Sequence, residues 1–357
     1  MRVELHTTLT TSLYGKTLDF LHATQDPSMK VAVFSSKPYD EEYLSLANNG
    51  GHELVFHSAP INIHTVSLAK DCNAVCCFVN DHLDSVVLHE LAALKIRFVV
   101  LRCAGFNQVD VAAAKQLGIS IARVPEYSPH AIAEHALGLI LVLNRNLHRA
   151  YNRVRENDYS LNGLLGFDVF QKTVAVIGTG KIGQVFAHIM GSMGCRVIAY
   201  DPAPSQQLID EGVCYLPLEE IWPQADIISL HCPLTAKTQH LINASVINQM
   251  KDGVMLINTG RGTLIDTRAA IDGLKSKKIG YLGLDVYEEE ENLFFEDNSN
   301  KLLQDDVFAR LLTFPNVVVT GHQAFFTREA LTAISDITLA NIDHFERNEL
   351  DQVFLVE

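Results

Sequence analysis

Residues 173–183 read TVAVIGTGKIG, and this stretch decides the fold. Thr173 to Ile177 have the apolar, β-branched composition of a buried strand. They run straight into Gly178-Thr179-Gly180-Lys181-Ile182-Gly183. A helix is expected next, because Ile182, Val185, Phe186, Ile189 and Met190 recur at helical spacing. A second strand, Arg196 to Tyr200, then ends on Asp201, eighteen residues past Gly183. Strand, glycine turn, helix, strand and acid in this order make a dinucleotide-binding βαβ unit. Gly178 permits the tight turn, Gly180 lets backbone approach a pyrophosphate, and Gly183 lets the helix pack on the strand. Lys181 and Ile182 belong to the same cofactor-facing turn. Asp201 is placed to hold both hydroxyls of an adenosine ribose.

About half of the chain lies ahead of this turn, so the nucleotide unit does not open the protein. With 357 residues, two domains are expected rather than one core. A hydrophobic content of 48% with 20% charged residues describes a globular, soluble chain. The formal net charge of −14 disfavours a non-specific nucleic-acid or membrane surface, which would carry a basic patch. No apolar run approaches the roughly 18 residues that a bilayer span needs. Seven cysteines, an odd number with no C-x-x-C pair, read as reduced thiols of a cytoplasmic protein. Residues 1–28 are polar and threonine-rich and lack the features of a signal peptide; they read as a disordered extension ahead of Met29.

From Lys30 onward strand and helix patterns alternate. VAVFSS, HELVFHS, AVCCFV, IRFVVLRCAG and SIARV are separated by helical stretches, which implies parallel sheets built from βαβ units. Helix signals dominate from Pro129 to Asn157, read as one long buried or interface element. After Asp201 come ADIISLHCPL, GVMLINTGRG, YLGLDVY and NVVVTGH, each a strand ending in polar residues, followed by a C-terminal helix. The expected fold is therefore α/β with two Rossmann-like or flavodoxin-like domains. A nucleotide domain over residues 128–324 is inserted into a substrate domain formed by 29–127 and 325–357.

Ligands of open parallel sheets bind at the carboxyl ends of the strands. Three charged residues fall there: Arg261 in NTGRGTLID, Glu290 in DVYEEEE and His322 in VVVTGHQAFF. These are the groups needed to reduce a 2-keto acid. A guanidinium grips the carboxylate and polarises the ketone through paired donors. A histidine delivers the proton, with a carboxylate as partner for its ring. Within the acidic run, Glu288, Glu289 and Glu291 compete with Glu290 for that partnership.

LRCAGFNQVD, YSPHAIAEHALGLIL, VIGTGKIG, SLHCPLT, INTGRGTLID, GLDVYEEE and TGHQAFF together resemble the D-isomer-specific 2-hydroxyacid dehydrogenases. Within that family the chain is most similar to the bacterial fermentative D-lactate dehydrogenases. The resemblance runs from Met29 to near the C-terminus. It implies that Arg261 binds substrate, that His322 is the acid/base and that Glu290 pairs with it. It implies further that the Ala104 and Gly105 amides hold the substrate carboxylate, that Tyr127 lies on the substrate side, and that Phe325 closes over the small side chain. Tyr127 is also placed to serve as a hinge residue. Asp285 is implied near the nicotinamide, and Thr259, Gly260, Cys232 and Pro233 along the cofactor. Asp201 favours NAD. The implied reaction is reversible reduction of pyruvate to D-lactate in a homodimer or homotetramer. Another 2-keto acid, or a non-enzymatic NAD(H)-sensing role like that of related corepressors, are the alternatives.

Overall fold

The computed structural model describes residues 29–49, 51–290 and 293–356. The extension expected over 1–28 and the competing Glu291 lie outside the described residues.

The first sheet contains β1 (Lys30–Val33), β2 (Glu53–Phe56), β3 (Ala74–Cys77), β4 (Phe98–Leu101) and β5 (Ser120–Arg123). Its order is β2-β1-β3-β4-β5, every pair parallel. β3 and β4 are buried on both faces, which explains their unbroken apolar runs. The second sheet contains β6 (Thr173–Ile177), β7 (Arg196–Tyr200), β8 (Cys214–Tyr215), β9 (Ile227–Leu230), β10 (Val254–Asn258), β11 (Ile279–Leu284) and β12 (Val317–Val319). Its order is β12-β11-β10-β9-β6-β7-β8, again all parallel. The two-residue β8 has too little pattern to be read from sequence. Both expected α/β sheets are present.

Helices cover both faces of each sheet, and their ends follow local chemistry. Asp84, Asp110, Ser128, Asp266 and Thr327 each accept a backbone N–H at the start of their helix. Helix Pro129–Asn144 packs Ala136, Leu139, Ile140 and Leu143 into the core of the second sheet. The continuous element expected to Asn157 is broken. Asn146 turns left-handed (φ 49°), and a second helix, Leu147–Arg155, starts there with none of its residues buried. Its apolar residues Leu147, Ala150, Tyr151 and Val154 recur at helical spacing but face away from the core, and Leu147, Tyr151 and Val154 are exposed.

The C-terminal helix Arg328–Glu346 returns to the first sheet. Leu339 and Ile342 pack there with Val31, Phe98 and Val100. Beyond it the tail pairs antiparallel with β5: Arg123 N–H donates to the Phe354 carbonyl (3.0 Å) and Val356 N–H to that of Ile121 (2.8 Å). That pairing covers an otherwise open sheet edge. The chain therefore leaves the first sheet once, after β5, and rejoins it at the end, with the second sheet built in between.

Candidate active site

A cleft of about 430 Å³ lies between the carboxyl ends of the two sheets. Of the residues singled out from sequence, Ala104, Gly105, Tyr127, Ile182, Cys232, Pro233, Thr259, Gly260, Arg261, Asp285, His322 and Phe325 all line it. Glu290 stands one layer behind, against His322.

Arg261 follows β10. Its loop is held by fully buried Asn258, whose side chain accepts from Gly260 N–H (3.0 Å) and donates to the Arg261 carbonyl (2.9 Å). The Arg261 Nη1 donates to the Gly260 carbonyl at 2.9 Å. From the other sheet, the loop after β4 comes so close that a Cβ on Gly105 would sit 2.4 Å from Arg261 Nη2. A side chain at 105 would therefore shift the Arg261 guanidinium from this position. Arg123, at the end of β5, steadies the same loop by donating to the Ala104 carbonyl at 3.0 Å.

His322 follows β12 with a left-handed backbone, φ 54°. Its N–H donates to the Asp285 carbonyl at 2.8 Å. Its Nδ1 lies 2.6 Å from Glu290 Oε1, while Glu290 Oε2 accepts from Tyr287 N–H at 2.7 Å. With Nδ1 engaged, Nε2 is the ring atom left for proton transfer. Among the described residues of the acidic run, Glu290 is the one that meets the His322 ring. Glu288 is engaged elsewhere, by His240 (2.6 Å) and the Thr267 N–H (2.9 Å), and Glu289 is exposed.

Asp285 has 0% exposure and acts as the hub of the His322 loop. It accepts from Gln323 N–H (2.9 Å), Ala324 N–H (2.8 Å) and the Thr320 hydroxyl. His135 of helix Pro129–Asn144 reaches the same Thr320 hydroxyl at 3.0 Å. The sequence reading missed His135, Arg123 and His231. Each sits inside a quoted motif or strand, but nothing in its spacing separates it from an ordinary structural residue.

The glycine turn fits a dinucleotide. Gly178 has φ 93°, and a Cβ there would meet Cys232 N at 2.6 Å, so β6 and β9 end side by side. A Cβ on Gly183 would sit 2.0 Å from the Gly178 carbonyl oxygen, which fixes the helix on the strand. At Gly180 the same Cβ would meet nothing within 4 Å, leaving open space where a pyrophosphate must come. Helix Lys181–Ser192 has no side-chain cap, so its first N–H groups remain available to an anion. The Lys181 ammonium pairs with Glu126 of the interdomain crossing. Asp201 accepts from Thr179 N–H (2.7 Å) and Ala203 N–H (2.8 Å), which keeps its carboxylate beside the turn. Further along, the Thr259 hydroxyl is buried (8% exposed) and has no hydrogen-bond partner among the described residues. A buried polar group calls for a partner, and Thr259 lines the cleft.

Sequence comparison agrees with this geometry. Residues 137–324 match the family model for the D-isomer specific 2-hydroxyacid dehydrogenase, NAD binding domain, and the chain belongs to that family. It is an oxidoreductase that uses NAD. A D-lactate dehydrogenase of Escherichia coli is 51% identical over 322 residues, 90% of this chain and 98% of the relative. Among solved structures, the pyruvate reductase of Chlamydomonas reinhardtii superposes with a TM-score of 0.87 at 42% identity, covering 91% of this chain and 98% of that one. A D-lactate dehydrogenase from Aquifex aeolicus, solved with NAD and lactic acid, gives 0.82 at 31% identity, covering 91% and 98%.

Two further groups on the cleft are held uncharged by burial. The Cys232 thiol is pushed up to about 11 and therefore stays protonated near neutral pH. His231, packed on Phe186 with its Nε2 2.8 Å from Ser229 Oγ, is pushed down to about 3. The unfolded chain takes up that proton at the ordinary histidine value of about 6.5. Stability carried by neutral His231 is thus fully present above about pH 6.5 and falls as pH drops toward about 3. Its slope is at most about 1.4 kcal/mol per pH unit. In urea unfolding at pH 7 and pH 5, wild type should lose on the order of 2 kcal/mol relative to His231→Gln. Parallel pH dependences for the two proteins would show that His231 is not neutral and buried in the fold.

Proposed function

We propose that this dehydrogenase reduces pyruvate to D-lactate, reversibly, with Arg261, His322 and Glu290 as its catalytic residues. One observation carries the reading: Arg261 and the His322–Glu290 pair face a single cleft whose opposite wall is the Ala104–Gly105 loop. Pyruvate has two features to recognise, a carboxylate and an adjacent ketone. Arg261 binds both through its fork of donors, and the Ala104 and Gly105 amides take the far edge of the carboxylate. His322 Nε2 hydrogen-bonds the ketone oxygen and gives up its proton as charge develops there; Glu290 holds the ring through Nδ1. Bound NADH supplies the hydride. Tyr127 and Phe325, whose ring centroids lie 6.3 Å apart, close the apolar side. The names of the E. coli, Chlamydomonas and Aquifex relatives support the same substrate. A sensing role without turnover has no observation in its favour.

The domain limits proposed are 29–127 with 325–357 for substrate and 128–324 for NAD. The cofactor contacts proposed are Gly178, Gly180, Lys181, Ile182, Gly183, Asp201, Cys232, Pro233, Thr259, Gly260 and Asp285. No helix among the described residues is long and apolar enough to cross a membrane, and a cytoplasmic location is proposed. Self-association is assigned to the surface around Leu147, Tyr151, Leu161 and Leu165, all exposed. Apolar side chains gathered in this way mark contact surfaces.

Turnover with pyruvate and chiral analysis of the product test the reading directly. Rapid NADH oxidation yielding only D-lactate is expected, and failure with pyruvate alongside turnover of a longer keto acid would replace the substrate. His322→Gln should retain NADH affinity while kcat falls by about 10²–10⁴; near-wild-type turnover would remove His322 from the mechanism. Because Asp201 would face a 2′-phosphate, kcat/KM with NADPH should be at least about tenfold below that with NADH. Equal values would free Asp201 of that role. In sedimentation velocity, Leu165→Glu should shift an oligomeric wild type toward monomer, and an unchanged profile would move the interface elsewhere.

A further inference from the structure

Behind Arg261 and His322 the cleft narrows into a cavity of about 40 Å³. That is room for on the order of three water-sized groups. Its apolar lining comes from Phe78, Val79, Tyr127, Phe295, Phe325 and Ile334. Sequence motifs pointed to Tyr127 and Phe325 only. Phe78 and Phe295 approach from opposite sides of the cleft and meet edge to face, with ring centroids 5.0 Å apart.

The two rings are held very differently. Phe78 follows β3 and is fixed to the first sheet. Its N–H donates to Asp81 Oδ2 at 2.6 Å, and the Arg102 guanidinium lies over its face at 5.0 Å. Arg102 is buried and anchored in turn by Asp40 (3.1 Å) and the Ser35 carbonyl (2.8 Å). Phe295 arrives on the excursion between β11 and helix Asp306–Leu312. Its ring lies 5.6 Å from that of His322. Its backbone is left-handed, φ 65°, an unfavourable state for a bulky residue that persists only where surrounding contacts enforce it. The next residue, Glu296, pairs with Lys37 at 2.8 Å, immediately before helix Pro38–Asn48 of the first sheet.

We propose that Phe295 is a specificity-determining residue that limits the length of the 2-keto acid's side chain. The inference rests on the cleft being a 2-keto acid reductase site, as argued above. A methyl group leaves the Phe295 ring in place beside His322, whereas a branched four-carbon chain extends toward that ring where it lies between Phe78 and His322. Rejection is therefore steric and falls on the far end of the substrate. Binding of the carboxylate and of the cofactor is untouched by it.

The test compares kcat/KM for pyruvate and for 4-methyl-2-oxopentanoate in wild type, Phe295→Leu, Phe295→Ala and Phe295→Trp. Removing ring volume should raise the ratio of long to short substrate by about tenfold or more, in the order Ala above Leu. Phe295→Trp should lower it, and NADH affinity should be unchanged throughout. Phe295→Leu keeps the series informative should the alanine variant not fold. If wild type reduces pyruvate but the ratio stays constant across the series, the assignment of Phe295 is wrong while the proposed function stands. If wild type turns over no 2-keto acid, both fall.

Discussion

The approach of Gly105 to Arg261 is the constraint on which the site depends. The guanidinium belongs to a loop of the second sheet and the glycine to a loop of the first. With 2.4 Å between Nη2 and the position of a Cβ, any side chain at 105 would displace the Arg261 guanidinium from the place it holds here. Alanine at 105 would have to push aside either the Arg261 fork or the loop that carries the two amides. Arg123 and Asn258 hold the two loops from behind. The walls of the cleft are thus supplied by both halves of the molecule, and neither forms it alone.

A second constraint sits under His322. Asp285, at the end of β11, collects two backbone N–H groups and a hydroxyl, and its own carbonyl accepts the His322 N–H. Desolvating a carboxylate is costly, and this convergence of donors offsets the cost while defining one conformation of residues 320–324. The left-handed backbone at His322 is part of that conformation and is maintained by it. Glu290 then has only to fix the ring about its own axis.

Much of this was legible in the sequence because a parallel sheet writes its strands as apolar runs. TVAVI, RVIAY and AVCCFV could be nothing else, and the glycine turn fixed which ligand they serve. Arg261 and His322 stood out because each follows such a run, and both line the cleft. What stayed hidden depends on packing rather than on pattern. The break at Asn146 is a single left-handed residue in an otherwise helical composition. Glu290 was singled out among its neighbours only by the family resemblance; the spacing of the acidic run itself does not show that Glu288 is engaged by His240 and the start of a helix. Phe78 and Phe295 lie far apart along the chain, and only the meeting of the two halves brings their rings together.

Both sheets reverse strand order at one point, and the cleft lies between these points. In the first sheet the reversal is at β1 and β3, which deliver Ser35 and Phe78; in the second it is at β6 and β9, which deliver Gly178 and Cys232. At a reversal the following connections leave toward opposite faces, and a crevice opens at the carboxyl ends. The steric contact of a Gly178 Cβ with the Cys232 backbone is the local signature of that crevice. Two crevices facing each other give a site to which both sheets contribute polar and apolar groups: Arg261, His322, Phe295 and Phe325 from the second, Gly105 and Phe78 from the first. Arg261, His322 and Asp285 stay close to strand ends that the sheet itself holds in place, whereas the selectivity proposed for Phe295 rests on a connection between elements.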